Sequence, residues 1–363
     1  MKIKFIMPYS GDAEKSLITN YDLTTKIFFK KGRKDIPNRM PFMSLAFPIL
    51  ASLTPDDFEM EILDESIEFI NFDDPVDIVA LTGMTYMAPY AYRLADEFRK
   101  RGVYVVMGGV HVSLAPQEAL EHVDSVFVGE AEDTWVEFMD DFKKNKPRAV
   151  YKMEKDVDLG RSQLPRWDLV KNKYYFPYFI NASRGCCFNC DFCQIHLTFG
   201  KKIRYKPVEL VIAEIRQLFR FYGKEFWGGT PIIFSDDNII ANANYAKRLF
   251  KALIPLRLKW CALASTNVAR DSELLDLMVQ SGCDHLFIGF ESLSQESMDL
   301  VNKGKVNRVS LFKDDIRTLH ERGINVSSLM MFGLDGDGPS IFEKTVKFVE
   351  ESDLEFPLFH TLL

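Results

Sequence analysis

The chain has 363 residues, 47% of them hydrophobic and 27% charged, which suits a globular protein of about two or three domains. Its net charge of −7 argues against a broad nucleic-acid-binding face. The longest uncharged run, Pro41 to Pro55, is too short and too proline-rich to cross a bilayer.

The elements are predicted in chain order. Lys2 to Met7 reads as an opening strand closed by Pro8. Residues 10–40 have no sustained period and read as a loop, in which Lys30-Lys31-Gly32-Arg33-Lys34 is a solvated basic cluster. An apolar helix pattern follows from Met43 to Leu53. Then strands at Phe58–Leu63, Asp77–Thr82, Val103–Met107 and Ser125–Val128 alternate with helices at Ala88–Arg101, Pro116–Glu121 and Thr134–Lys143. That alternation predicts right-handed crossovers and a doubly wound, Rossmann-like parallel sheet over residues 1–145. Such sheets bind ligands at the carboxyl ends of their strands.

Residues 146–173 lack period and read as a linker. A second alternation fills 174–363. Its strands are Tyr174–Ile180, Pro231–Phe234, Lys259–Ala264, His285–Phe290, Asn325–Phe332 and Pro357–Leu363. Its helices are Val208–Phe221, Asn244–Leu253, Ser272–Ser281, Val309–Arg322 and Ile341–Glu351. Polar residues gather just beyond the strand ends, as in barrels whose active sites use that face, so the expectation is a partial (β/α)6 barrel. The run Phe356 to Leu363 is apolar to its last residue, which suggests a fragment lacking a C-terminal segment.

Of six cysteines, none precedes Cys186 and four crowd into 186–193. Cys261 and Cys283 lie alone in apolar contexts. Clustered cysteines point to a metal site in a reducing compartment rather than a disulfide framework. No N-terminal segment has the form of a secretion signal, so the chain reads as cytoplasmic. Cys186, Cys190 and Cys193 follow the strand at Tyr174–Ile180 and stand at C-x3-C-x2-C spacing, which lets one loop wrap one soft centre. Three thiolates leave a cluster one ligand short, with an iron open. The competing reading adds His196 and closes a Cys3His zinc tetrahedron.

These cysteines, with Phe192 beside the last, resemble the signature of the radical S-adenosylmethionine (SAM) superfamily. The flanking Ser183-Arg184-Gly185 and Phe188-Asn189 are similar to its subgroup with an N-terminal cobalamin-binding domain. The resemblance implies a [4Fe–4S] cluster on Cys186, Cys190 and Cys193, whose open iron chelates SAM and from which a 5′-deoxyadenosyl radical arises. It implies further SAM contacts from Asp236 and Asp237, from Glu291 and Ser292, and from the backbone at Gly333. Arg204 and Lys206 are expected to meet solvent. Cys187 stands where the family commonly has proline and is read as a non-ligand.

In the first domain, Asp64-Glu65-Ser66 resembles the start of a cobalamin motif whose histidine is absent, which implies cobalamin held without a histidine ligand. Thr82 would offer a hydroxyl to the nucleotide tail, and Gly108-Gly109 would let the backbone approach it closely. His111 is expected to be a loop or capping histidine, and Glu130 and Glu132 to cap the helix at Thr134. The methylthiotransferases of tRNA are set aside because residues 1–185 contain no cysteine.

The resemblance implies a cobalamin-dependent methyltransferase acting on an unactivated carbon. Cobalamin-dependent cyclisation or oxidation, as in tetrapyrrole cyclases, is the second reading, and a non-catalytic metal- or corrinoid-binding module the third. The partners implied are a small-molecule substrate and an electron donor such as flavodoxin or ferredoxin, with neither nucleic acid nor membrane insertion.

Overall fold

A computed structural model of the chain describes residues 1–9, 44–171, 178–200, 202–223 and 231–362. The expected loop at 10–40, with its basic cluster, lies outside them. The chain divides into two compact units: Met1–Phe176 forms the first, together with Leu197–Phe199 and Arg220–Tyr222, and the remainder forms the second.

In the first unit the strands are β1 (Lys2–Met7), β2 (Glu59–Asp64), β3 (Ile78–Thr82), β4 (Tyr104–Gly108), β5 (Ser125–Val128) and β6 (Val150–Lys152). The helices are α1 (Ala46–Leu53), α2 (Ala88–Lys100), α3 (Val110–Leu114), α4 (Pro116–Leu120) and α5 (Glu132–Lys143). All pairings are parallel, in the order β2-β1-β3-β4-β5-β6. The central strands are apolar on both sides because helices cover both faces. On one face Ala91, Tyr92, Ala95 and Phe98 of α2 pack with Val79, Leu81, Val105 and Met107. On the other, Phe5 lies 5.3 Å from Phe47 and 5.6 Å from Trp135 between ring centres, so α1 and α5 close that side. Burial of each such aromatic contributes roughly 1.5–3 kcal/mol. Chain order reverses between β1 and β3, which opens a crevice at their carboxyl ends, where Met7, Asp64 and Thr82 lie.

The expected linker is different. Residues 150–152 extend the sheet as β6, and Tyr151 and Trp167 are fully buried. A three-residue strand shows no period, which is why it escaped pattern reading. Helix α5 starts at Glu132, two residues before the expected Thr134, and its N-cap residue Ala131 makes no side-chain cap. Glu132 and Asp133 occupy its first turn, where the helix dipole favours acids.

In the second unit β7 (Tyr178–Ile180) leads to a small antiparallel ribbon, β8 (Ser183–Arg184) with β9 (Arg204–Tyr205). The short helix α6 (Ile195–Phe199) falls between the ribbon strands, and α7 (Val208–Tyr222) follows. Then come β10 (Ile232–Phe234), α8 (Ala243–Leu253), β11 (Trp260–Ala264), α9 (Ser272–Ser281), β12 (Cys283–Glu291), α10 (Gln295–Leu300), α11 (Phe312–Glu321), β13 (Asn325–Phe332), α12 (Ser340–Glu351) and β14 (Phe356–Thr361). The large sheet runs β7-β10-β11-β12-β13-β14, wholly parallel. Order never reverses here: each strand pairs with the next in sequence, as in a barrel wall. Among the described residues no helix is long and apolar enough to cross a membrane.

Caps place these helices. Asn242 Oδ1 accepts from Tyr245 N at 3.1 Å to start α8, and Asp271 Oδ1 accepts from Leu274 N at 3.0 Å to start α9. Gly282 ends α9 at φ +90°, where a Cβ would come 1.9 Å from Leu258 O. Gly282→Ala should therefore destabilise the second unit by more than about 1 kcal/mol, read as a lower urea midpoint at unchanged slope.

Candidate functional site

The cysteine loop is fastened at its base by two carboxylates from the end of β10. Asp236 is completely buried; its Oδ2 accepts from Ala182 N at 3.0 Å and its Oδ1 from Ser183 Oγ at 2.5 Å. Asp237 Oδ2 accepts from Gly185 N at 3.0 Å. Burial raises the Asp236 pKa to about 6, with the Ser183 and Ala182 donors opposing the rise. Gly185 has φ +89°, and a Cβ there would sit 2.9 Å from Lys202 O, so the two ends of the loop touch where only glycine fits.

Beneath the ribbon Lys206 Nζ and Glu214 Oε2 form a 2.7 Å ion pair with both side chains almost wholly buried. Arg204 is buried as well. The expectation that Arg204 and Lys206 meet solvent is corrected: β9 faces inward, and Lys206 finds its counter-ion two helical turns into α7. Tyr245 OH reaches the same place, 2.7 Å from Lys206 O and 3.1 Å from Ala182 O.

Within the loop Cys190 is buried, Cys186 and Cys193 are half-buried, and Cys187 is exposed. Cys193 N donates to Cys190 O at 3.0 Å, which turns the C-x2-C segment back on itself. Burial pushes the Cys186 thiol up to about 11 and raises that of Cys190, whose shift the Lys303 ammonium partly offsets. A bound cation reverses such a penalty, since metals take the thiolate. His196 Nε2 is paired with the carbonyl of Phe188, and its Nδ1 is buried without a partner. Among the described residues no three His, Cys, Asp or Glu side chains converge tightly enough for a single metal ion. Thiolates of a [4Fe–4S] cluster bind different irons and stand further apart than the ligands of one ion. A donor set of three thiols fits such a cluster.

At the next strand ends, the sheet register shifts between Gly289 and Glu291, and Glu291 takes φ +64°, uncommon for a residue with a side chain. Glu291 is ion-paired with Lys303. Ser292 Oγ donates to Asp337 Oδ1 at 2.8 Å, as does Ser297 Oγ at 2.6 Å, while Asp337 Oδ2 is buried without a partner. Gly333 is exposed at the end of β13 with φ +99°. Of the residues expected around SAM, Asp236 is completely buried and both its oxygens accept from the chain itself.

In the first unit Asp64 ends β2, Thr82 ends β3 and Gly108 ends β4; Thr82 is in register with Gly108, and β1 lies between β2 and β3. Asp64 Oδ1 accepts from Ser66 N at 2.8 Å, and Ser66 Oγ is buried without a partner. Gly109 has φ +109°, and a Cβ would lie 2.9 Å from Thr82 Oγ1 and 3.1 Å from Gly83 O. Gly109 thus serves the close approach of the chain leaving β4 to the end of β3. His111 is buried, with Nε2 2.9 Å from Tyr92 OH and 3.3 Å from Glu118 Oε1. Sheets of this kind take ligands at the strand ends beside the order reversal, and Ser66 after β2 has a buried hydroxyl without a partner, which fits a polar cofactor there.

Pattern reading missed Asn302, Lys303 and Asn307. Their signal is the length of the connection 292–311, since strand-to-helix connections usually run to about 2–6 residues.

A thiol-bearing loop at the strand ends of a singly wound parallel sheet, in a chain whose first unit is doubly wound, fits the resemblance to radical SAM proteins with a corrinoid-binding domain. Family comparison agrees: residues 180–349 match the Radical SAM superfamily and residues 49–139 the B12 binding domain. The chain is 32% identical over 331 residues to the bacteriochlorophyllide d C-12(1)-methyltransferase of Chlorobaculum tepidum, covering 88% of this chain and 71% of that protein. It is 29% identical over 343 residues to the C-8(2)-methyltransferase of the same organism, covering 90% and 75%. The structure of the radical SAM methyltransferase TsrM from Kitasatospora setae, solved with cobalamin and a [4Fe–4S] cluster, superposes with a TM-score of 0.76 at 16% identity, covering 99% of this chain and 74% of that one. The chain belongs to the cobalamin-binding branch of the radical SAM superfamily and is an enzyme; the cofactors of that branch are a [4Fe–4S] cluster, SAM and cobalamin.

Asp236→Asn keeps the shape but sets an amide N–H against one of two donors, and should cost about 1–3 kcal/mol in urea unfolding. The folded state holds the Asp236 proton more tightly than the unfolded chain, whose carboxyl titrates near the ordinary 3.8. That contribution is complete below pH 4 and lost as pH rises through 6, so the stability difference between wild type and variant should narrow across this window. A difference that stays flat or widens contradicts the assignment.

Proposed function

We propose that this enzyme is a cobalamin-dependent methyltransferase that places a methyl group on an unactivated carbon of a small molecule. The observation that carries the reading is the cysteine loop itself: three thiols pinned by Asp236 and Asp237 at the carboxyl ends of a sequential parallel sheet. Cys186, Cys190 and Cys193 would hold the cluster and leave one iron for SAM. When bound, these groups supply one-electron hydrogen abstraction, and cobalamin supplies the methyl group.

The chain's own part is placement. Asp237, Glu291 and Ser292 with the Gly333 backbone would line the SAM site from the ends of β10, β12 and β13. Thr82 and the Gly108-Gly109 backbone would take the nucleotide tail, and Asp64 shapes the turn at Ser66, the position at which the cobalamin motif it resembles has histidine. His196 braces the loop through Phe188 and contributes no ligand. Electrons would come from a small carrier such as flavodoxin or ferredoxin, a role for the cytoplasm. Chlorin macrocycles head the substrates to test, because the two relatives above are bacteriochlorophyllide d methyltransferases.

Anaerobically reconstituted protein should carry about four irons per chain. With methyl-labelled SAM it should transfer label to substrate carbon and release 5′-deoxyadenosine. Cys190→Ala should reduce that release to background. Unchanged release from the variant, or stoichiometric zinc in place of iron, would remove the reading.

A further inference from the structure

Residues 292–311 return to the cysteine loop before entering α11. Asn302 Nδ2 donates to both Asp191 oxygens, at 2.9 and 3.0 Å, and Asp191 N donates to Val301 O at 3.3 Å. Next in the chain, the Lys303 ammonium pairs with Glu291 and stands 5.7 Å from the centre of the Phe192 ring, between Cys190 and Cys193 in sequence. The two charged side chains are only 12% and 10% exposed.

The pair is framed from beneath. Asn307, fully buried, donates to Gly289 O at 2.8 Å and Phe290 O at 3.0 Å, and Thr266 Oγ1 donates to Val306 O at 3.0 Å. A Cβ on Gly289 would meet Glu291 Oε1 at 2.3 Å and Lys303 Nζ at 2.9 Å, so the strand gives up a side chain where the pair folds over it. Buried ion pairs are poor sources of stability, because desolvation offsets their attraction. This one carries a positive and a negative charge beside the aromatic ring that stands between two of the loop's cysteines in sequence.

We propose that the Lys303–Glu291 pair positions the Cys190–Cys193 side of the loop and, with the cluster assigned above in place, sets how readily that cluster takes up an electron. Reduction adds negative charge, so a neighbouring cation favours it and a neighbouring anion disfavours it.

The test is an EPR-monitored redox titration of the reconstituted full chain. Lys303→Met should shift the cluster's midpoint potential negative, Glu291→Gln should shift it positive, and the double variant should return toward wild type. A packing role alone would leave both potentials unmoved or move them in one direction; either result overturns the proposal. If Lys303→Met takes up no iron, Glu291→Gln decides alone, and anything but a positive shift overturns it. Iron content and EPR of the wild-type chain come first: without a cluster there, the functional reading itself fails, which is a separate outcome from unmoved potentials.

Discussion

A buried carboxylate with both oxygens turned onto its own chain is the constraint on which the second unit depends. Asp236 sits at the end of β10 and grips Ala182 and Ser183, so the segment leaving β7 cannot swing away from the sheet. A loop of thiols has little apolar surface with which to hold itself in place. Its conformation is borrowed from the sheet through Asp236, Asp237 and the pinch at Gly185 and Lys202. Desolvation of Asp236 opposes the clasp, and two donors compensate it in part.

The two sheets answer different geometric needs with the same strand–helix grammar. In the first unit the order reverses beside β1, leaving a crevice between helices that diverge to opposite faces. In the second the order never reverses, and the strand ends present their residues along one edge, among them Asn181 to Gly185 after β7, Ser235 to Asn238 after β10, Glu291 to Ser292 at the end of β12 and Gly333 after β13. A crevice suits a cofactor that inserts a tail. A row of strand ends suits a cofactor laid across them.

Much of this was legible in the sequence, and the limits are physical. Long apolar strands flanked by glycine and acidic residues declared themselves, as at Asp77–Thr82 or Asn325–Phe332, because burial on both faces demands such runs. Short pieces did not: β6, the β8–β9 ribbon and α6 are too brief for a period to register. The three cysteines were visible through their spacing, yet the roles of their neighbours were not. Asp236 reads the same in a sequence whether it binds a ligand or its own backbone, and only burial separates the two. Lys206 misled for a related reason: a lysine is usually solvated, and its partner Glu214 is eight positions away on a different element.

That partner has a bearing on how the chain finds its fold. A strand as short as β9 has few hydrogen bonds with which to choose its register against β8. A slip by one residue would turn Lys206 outward and strand the Glu214 carboxylate in an apolar interior, at a cost of several kcal/mol. The ion pair therefore acts less as glue than as a proofreading device, one that makes a one-residue slip of the ribbon expensive while adding little to the right alignment.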